Sequence, residues 1–227
     1  MVMMKDGDFV NIDFVGRIKE SGEIFDLTDE ALAKESRIHN PKTKYGPVTI
    51  IIGAGQILKG LEEKIKELKI GETADVDIVS KDAFGQRDSR LIKIFNANHF
   101  KKQNIVPVPG HFIDFGGTKG RVVSAASGRV RMDFNHPLAG KTLMYKVTLN
   151  LTVTDKVEQI RSVIIYYTAM DDGVDVSIAD KKVKIMLPSG SDVSSEMKEK
   201  ISAMITKYVT GADNVEFAEV YTKKAEQ

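Results

Sequence analysis

The stretch GAGQILKGLEEKIKELKIGE, Gly53 to Glu72, decides the fold. After two glycines, the apolar residues Leu58, Leu61, Ile65 and Leu68 recur at helical spacing, with Lys59, Glu62, Glu63, Lys64, Lys66 and Glu67 between them. This pattern describes a short amphipathic helix with one face to bury and a charged outer face. Gly71 then acts as a stop, and Ala74 to Val79 reads as a strand. A glycine-rich entry to a helix can cradle phosphate, but GAGQ lacks the Lys and Ser of a P-loop and is not GxGxxG. Upstream, Val48 to Ile52 is a β-branched run with only Thr49 polar, as expected of a central strand buried on both faces.

Further out, Phe9, Asn11, Asp13 and Val15 alternate with Val10, Ile12, Phe14 and Gly16, so one face of a strand is apolar. The turn at Glu20-Ser21-Gly22-Glu23 returns the chain into Ile24-Phe25-Asp26 as a hairpin. Thr28 is placed to cap a short helix through DEALAKES. A helix laid across an antiparallel sheet makes this an α+β fold. With 227 residues and 42% hydrophobic content, two or three small cores are a better fit than one large one.

The formal net charge is +1, and there is neither a basic tail nor a one-signed block, so nucleic acid and anionic membranes are not expected as main partners. The absence of cysteine excludes disulfides and cysteine zinc sites. His39, His99, His111 and His136 lack metal-ligand spacing, and Asp171-Asp172-Gly173 reads as a turn rather than a calcium loop, so neither a metal nor a cofactor is expected. The N-terminus has no apolar run, and Val163 to Tyr167 is too short to cross a bilayer, so a cytoplasmic protein is expected.

Two regions lie outside this frame. From about Arg87 to Asn135 the chain contains LIKIF, the polar segment NANHFKKQN, then PVPGHFIDFGG, and finally GRVVSAA and GRVRMDF joined at Ser127-Gly128, which together describe a small β-rich domain. Residues 156–227 read as a β-β-β-α-β unit: strands RSVIIYYTA, VDVSIAD and KVKIMLP, a helix from Ser194 to Val209 with Asp192 and Ser194 as candidate caps, and the strand VEFAEVYTKK. Val163 to Tyr167 are consecutively apolar, so a sheet with one helix would leave a face or edge uncovered. A second copy is expected to cover it, giving a homodimer; the alternative is packing on the protein's own chain.

The order VNIDFVGRIKESGEIFD, Gly53 to Glu72, DAFGQRD and, after the interruption, HPLAGKTLMYKVTL resembles the FKBP-type peptidyl-prolyl cis-trans isomerases, in the SlyD-like subgroup whose flap is replaced by an inserted domain. The resemblance covers most of Asp6 to Asp155, and the C-terminal region resembles the extension of long archaeal FKBPs. It implies an isomerase domain from residues 1–86 and 136–155 and an insert-in-flap domain from 87–135. It also implies a pocket built from Phe14, Phe25, Asp26, Ile57, Leu58, Leu61, Phe84 and Tyr145, with the Leu58 N–H holding the peptide. Phe84 stands where a tyrosine is common, Tyr145 where a phenylalanine is, and Leu61 where many members have tryptophan. The insert would bind unfolded chains, and Ile105, Val106, Val108, Phe112, Ile113 and Phe115 are available for that unless they form its own core. The implied function is isomerisation of X-Pro bonds in proline-containing or unfolded polypeptides, coupled to chaperoning; the alternative is a non-enzymatic holdase or docking module with an idle pocket.

Overall fold

The structure, a computed structural model, describes residues 4–220. It divides into two compact units, one formed by Met1–Arg17, Ile24–Val76 and Tyr145–Gln227, the other by Ile18–Glu23 and Asp77–Met144.

The first unit is organised by β1 (Phe9–Ile18), which pairs antiparallel with both β2 (Ile24–Leu27) and β3 (Val48–Ile51). Phe9 to Ile12 face β3, while Val15 to Arg17 face β2 with a shift in register after Gly16. Between them lies α1 (Glu30–Glu35); α2 (Lys59–Glu67) and β4 (Thr73–Ile78) follow β3, and β9 (Leu143–Thr152) completes the sheet in the order β2-β1-β9-β4. In α2, Leu61 and Ile65 are buried, and salt bridges such as Lys66–Glu62 run along the charged face.

Two local expectations change. Asp29, not Thr28, caps α1 by accepting from the Leu32 N–H; the Thr28 hydroxyl is buried, accepts from the Phe14 N–H and donates to Asp13. Among the described residues β3 pairs only with β1, so it is not central; Ile50, Ile51 and Ile52 are nevertheless buried. Ile51 owes this to a helix from the end of the chain.

That helix is the main departure from the expected elements. RSVIIYYTA is not a strand but the larger part of α4 (Lys156–Thr168). Asp155 accepts from the Glu158 N–H as its N-cap, and Ile160, Val163, Ile164 and Tyr167 recur at helical spacing to form the inward stripe. The last part of the chain is therefore α-β-β-α-β: β10 (Asp175–Ala179), β11 (Lys182–Pro188), α5 (Ser195–Tyr208, capped by Ser194 rather than Asp192) and β12 (Asn214–Val220). β11 lies between β10, antiparallel, and β12, parallel. Residues 221–224 of the expected last strand lie outside the described residues, as do the outermost ends of the first and last expected domains. Both helices share one apolar cluster with Val183, Ile185 and Leu187 of β11, and Phe9 and Ile51 belong to it. Within the apolar run, Val163 and Ile164 are buried by their own chain, whereas Tyr166 is 49% exposed.

In the second unit, β5 (Ile92–Asn96), β6 (Phe112–Phe115), β7 (Thr118–Ala126) and β8 (Arg129–Asp133) form an antiparallel sheet in the order β5-β8-β7-β6. Ser127 and Gly128 both take positive φ in the β7-β8 turn, the conformation a two-residue hairpin of this hand requires. The polar segment NANHFKKQN contains α3 (Ala97–Lys102), capped by Asn96, and its one large apolar residue, Phe100, is fully buried among Val122, Val130 and Met132. A single anchoring phenylalanine is too short a pattern for periodicity to reveal.

Because α4 shares its core with β1 and β3, Ile164→Ala should cost about 2–5 kcal/mol. Urea unfolding of the full chain checks this, as a lower midpoint at unchanged slope.

Candidate active site

Three rings from three strands meet in the first unit. Tyr145 of β9 lies 5.6 Å from Phe25 of β2, edge to face, and 6.0 Å from Phe14 of β1. They can approach because the strand residue beneath them is Gly16: a Cβ there would stand 2.7 Å from Phe25 Cζ and 3.1 Å from Tyr145 Cε1. A glycine inside a strand pattern is the sequence sign of such an approach, and Gly16, within VNIDFVGRIKESGEIFD, carries it although the resemblance does not single it out as a pocket residue.

Asp26 sits opposite Gly16 in the β1-β2 register. Although the residue remains solvent-accessible, desolvation holds its carboxyl above its ordinary value, with the Leu27 N–H pulling in the other direction. Tyr145 is 7% exposed; burial, helped by the Asp26 charge, pushes its hydroxyl up to about 12. The phenol is therefore neutral across the physiological range and is available as a donor; among the described residues it makes no hydrogen bond.

Ile57 and Leu58 are partly buried at the entry to α2, where Leu58 is the N-cap and Leu61 is buried one turn on. Among the described residues the Leu58 N–H has no intramolecular acceptor, as the first amides of a helix have no intrahelical partner. The loop leading to it is held by contacts the sequence did not announce: Gln56 Oε1 accepts from the Ile51 N–H at 2.7 Å, and the Tyr208 hydroxyl of α5 donates to the Gly53 carbonyl at 3.3 Å. Gly53, at φ +80°, leaves no room for a Cβ beside Asp6, whose carboxylate accepts from Lys66 at 2.7 Å.

Phe84 belongs to the second unit, where it stacks on His136 at 4.2 Å. A cleft of about 700 Å³ that includes Phe14 is lined mainly by polar residues such as Asp13, Thr28 and Lys146; Phe25, Asp26 and Tyr145 do not line it. The six apolar positions singled out in the insert separate. Ile105, Ile113 and Phe115 pack against the core around Phe100, whereas Val106, Val108 and Phe112 are exposed, Val106 to 80%. Only the latter three remain available to a partner.

Comparison with known proteins fits this geometry. The family model "FKBP26, IF domain" matches residues 93–138. The chain is 32% identical over 145 residues to the short-type peptidyl-prolyl cis-trans isomerase of Methanocaldococcus jannaschii, covering 64% of this chain and 91% of that protein. It is 29% identical over 132 residues to the FKBP-type peptidyl-prolyl cis-trans isomerase SlyD of Helicobacter pylori, covering 57% and 65%, and 28% identical over 104 residues to SlyD of Escherichia coli, covering 44% and 53%. The chain belongs to the FKBP-type peptidyl-prolyl cis-trans isomerase family, with SlyD among its relatives. Among the described residues no helix is long and apolar enough to cross a membrane.

Gly16→Ala and Tyr145→Phe separate shape from chemistry at this site. Gly16→Ala should reduce prolyl isomerase activity by more than tenfold while the chain stays folded, because the rings must part. Tyr145→Phe keeps the rings and removes one donor, so about a fivefold loss is expected, the equivalent of a ~1 kcal/mol hydrogen bond. A protease-coupled assay with circular dichroism reads both.

Proposed function

We propose that this isomerase turns over X-Pro bonds in the pocket walled by Phe14, Phe25 and Tyr145, and that its insert holds unfolded chains for that reaction. The observation that carries this reading is the closure of Phe25 and Tyr145 over Gly16, with Phe14 next to Tyr145 and with a neutral phenol and the Asp26 carboxylate in the same group. An uncatalysed X-Pro bond turns over in tens to hundreds of seconds because amide resonance sustains a barrier of ~20 kcal/mol. No nucleophile is required to lower it. An apolar pocket grips the proline ring and removes water that stabilises the planar, polar amide, so it favours the twisted transition state. Ile57 and Leu61 add apolar surface, and the Leu58 N–H and the Tyr145 hydroxyl are donors for substrate carbonyls. The Asp26 carboxylate, already costly to desolvate, faces the partial charges that change as the amide twists.

In this reading residues 87–135 form the chaperone insert, flanked by the isomerase segments 1–86 and 136–155, and Val106, Val108 and Phe112 are its apolar contacts. Holding a chain on one part of the molecule raises its concentration at another, so catalysis on proteins exceeds what the pocket alone delivers. The cysteine-free sequence suits the reducing cytoplasm in which such a helper works. Replacing 87–135 by a short loop should preserve activity on proline tetrapeptides and reduce catalysis of a proline-limited refolding reaction by at least tenfold. If both fall together, separate holding and catalysis is wrong.

Self-association through the C-terminal region, residues 156–227, is part of the same proposal, on changed grounds. Val163 and Ile164 of the helical run are buried within the chain, but β10 and β12 each end the three-stranded sheet with an unpaired edge among the described residues. Light scattering should give twice the chain mass at micromolar concentration and the single mass after truncation at Asp155; a full-length monomer overturns this part.

A further inference from the structure

The near-zero charge of the whole chain conceals a local excess. Residues 93–138 contain seven Lys and Arg against two Asp and no Glu. Both acids are engaged within the unit: Asp133 is buried and paired with Arg87, and Asp114 accepts from the Gly117 N–H. The bases are not spread evenly. Arg129 and Arg131 lie two apart on β8, on the face opposite the buried Val130 and Met132. Arg121 is the β7 partner of Asp133, which alternation places on that same face. All three arginines are exposed, and among the described residues their guanidinium groups form no ion pair or hydrogen bond.

Apolar side chains stand beside them. Ile94, 66% exposed, is opposite Arg131, and Phe112, 54% exposed, is opposite Arg121. Val123, at the irregularity in β7, is also exposed. The inner face of this sheet makes the core around Phe100, so these residues are not needed to fold it. A small sheet that leaves large apolar groups in water is offering a contact surface. The guanidinium fork matches a carboxylate in two parallel hydrogen bonds, which a lone apolar patch cannot select. Nucleic acid fits less well, because Ile94 and Val123 have no π face on which a base could stack.

We propose that this arginine face gives the insert a preference for extended polypeptides whose apolar residues are flanked by Asp or Glu. The inference rests on the reading of the insert as a chain-binding domain and adds its selectivity. The test is fluorescence anisotropy of the full chain with three labelled, proline-free peptides that share one apolar centre and carry Asp, Ser or Lys flanks. At low salt the Asp-flanked peptide should bind about tenfold more tightly than the Lys-flanked one, and the gap should close at high salt. The combined variant Arg121→Gln, Arg129→Gln, Arg131→Gln should bring the Asp-flanked peptide to the affinity of the Ser-flanked one, whose own binding is retained. If circular dichroism shows that variant unfolded, Arg131→Gln alone is expected to lower the preference two- to threefold, by about one surface ion pair, and an unchanged preference overturns the proposal. Equal binding of all three peptides overturns charge selection but leaves chain binding standing. No binding of any peptide overturns chain binding and this inference with it. Displacement of the Asp-flanked peptide by a lower concentration of a single-stranded oligonucleotide of equal charge overturns the polypeptide assignment.

Discussion

The main-chain hydrogen bonding of β1 is the constraint on which the first unit depends. One ten-residue strand pairs with β3 along its first half, with β2 along its second and with β9 on its other edge. A strand that gives up so many amide groups must keep them paired, because a buried unpaired N–H or C=O costs as much as a lost hydrogen bond. The change of partner falls between Ile12 and Val15, and at Gly16, next to the register shift with β2, the rings of Phe25 and Tyr145 close over the backbone.

In the proposed reading the pocket works by what it excludes. Burial keeps Tyr145 protonated, and partial desolvation raises the carboxyl of Asp26, which stays solvent-accessible. Such a site needs rigid walls more than reactive groups. Rigidity reaches it from far along the chain: Gln56 and Tyr208 fasten the loop that presents Leu58, and α4 braces β3 and the start of β1 through Ile51 and Phe9. The C-terminal region is part of the core that supports β1 and β3.

The insert solves a different problem with the same material. Its sheet has one face closed on Phe100, while Ile94, Phe112 and Val123 are left exposed. Asp133 shows how the charges are divided: it is neutralised internally by Arg87, which leaves the arginines of β7 and β8 unopposed.

Local chemistry fixes much of this molecule. The helical spacing of Leu58, Leu61 and Ile65, the Ser127-Gly128 hairpin and the capped helix after Ser194 are properties of short stretches legible in the amino-acid sequence, whereas Phe14, Phe25, Asp26 and Tyr145 are named only through the family resemblance that the motif order carries. Tertiary packing decided the rest. Arg161 to Ala169 carries enough consecutive β-branched and aromatic residues for either a strand or a helix, and the choice fell to Asp155 as a cap and to the apolar surface of Phe9 and Ile51, which a stripe four residues apart can cover and an alternating strand cannot. Likewise, nothing local distinguishes Phe112 from Phe115: alternation puts them on opposite faces of β6 only once pairing with β7 has set which face meets Phe100. Sequence determines which residues can be buried, whereas long-range pairing determines which of them are.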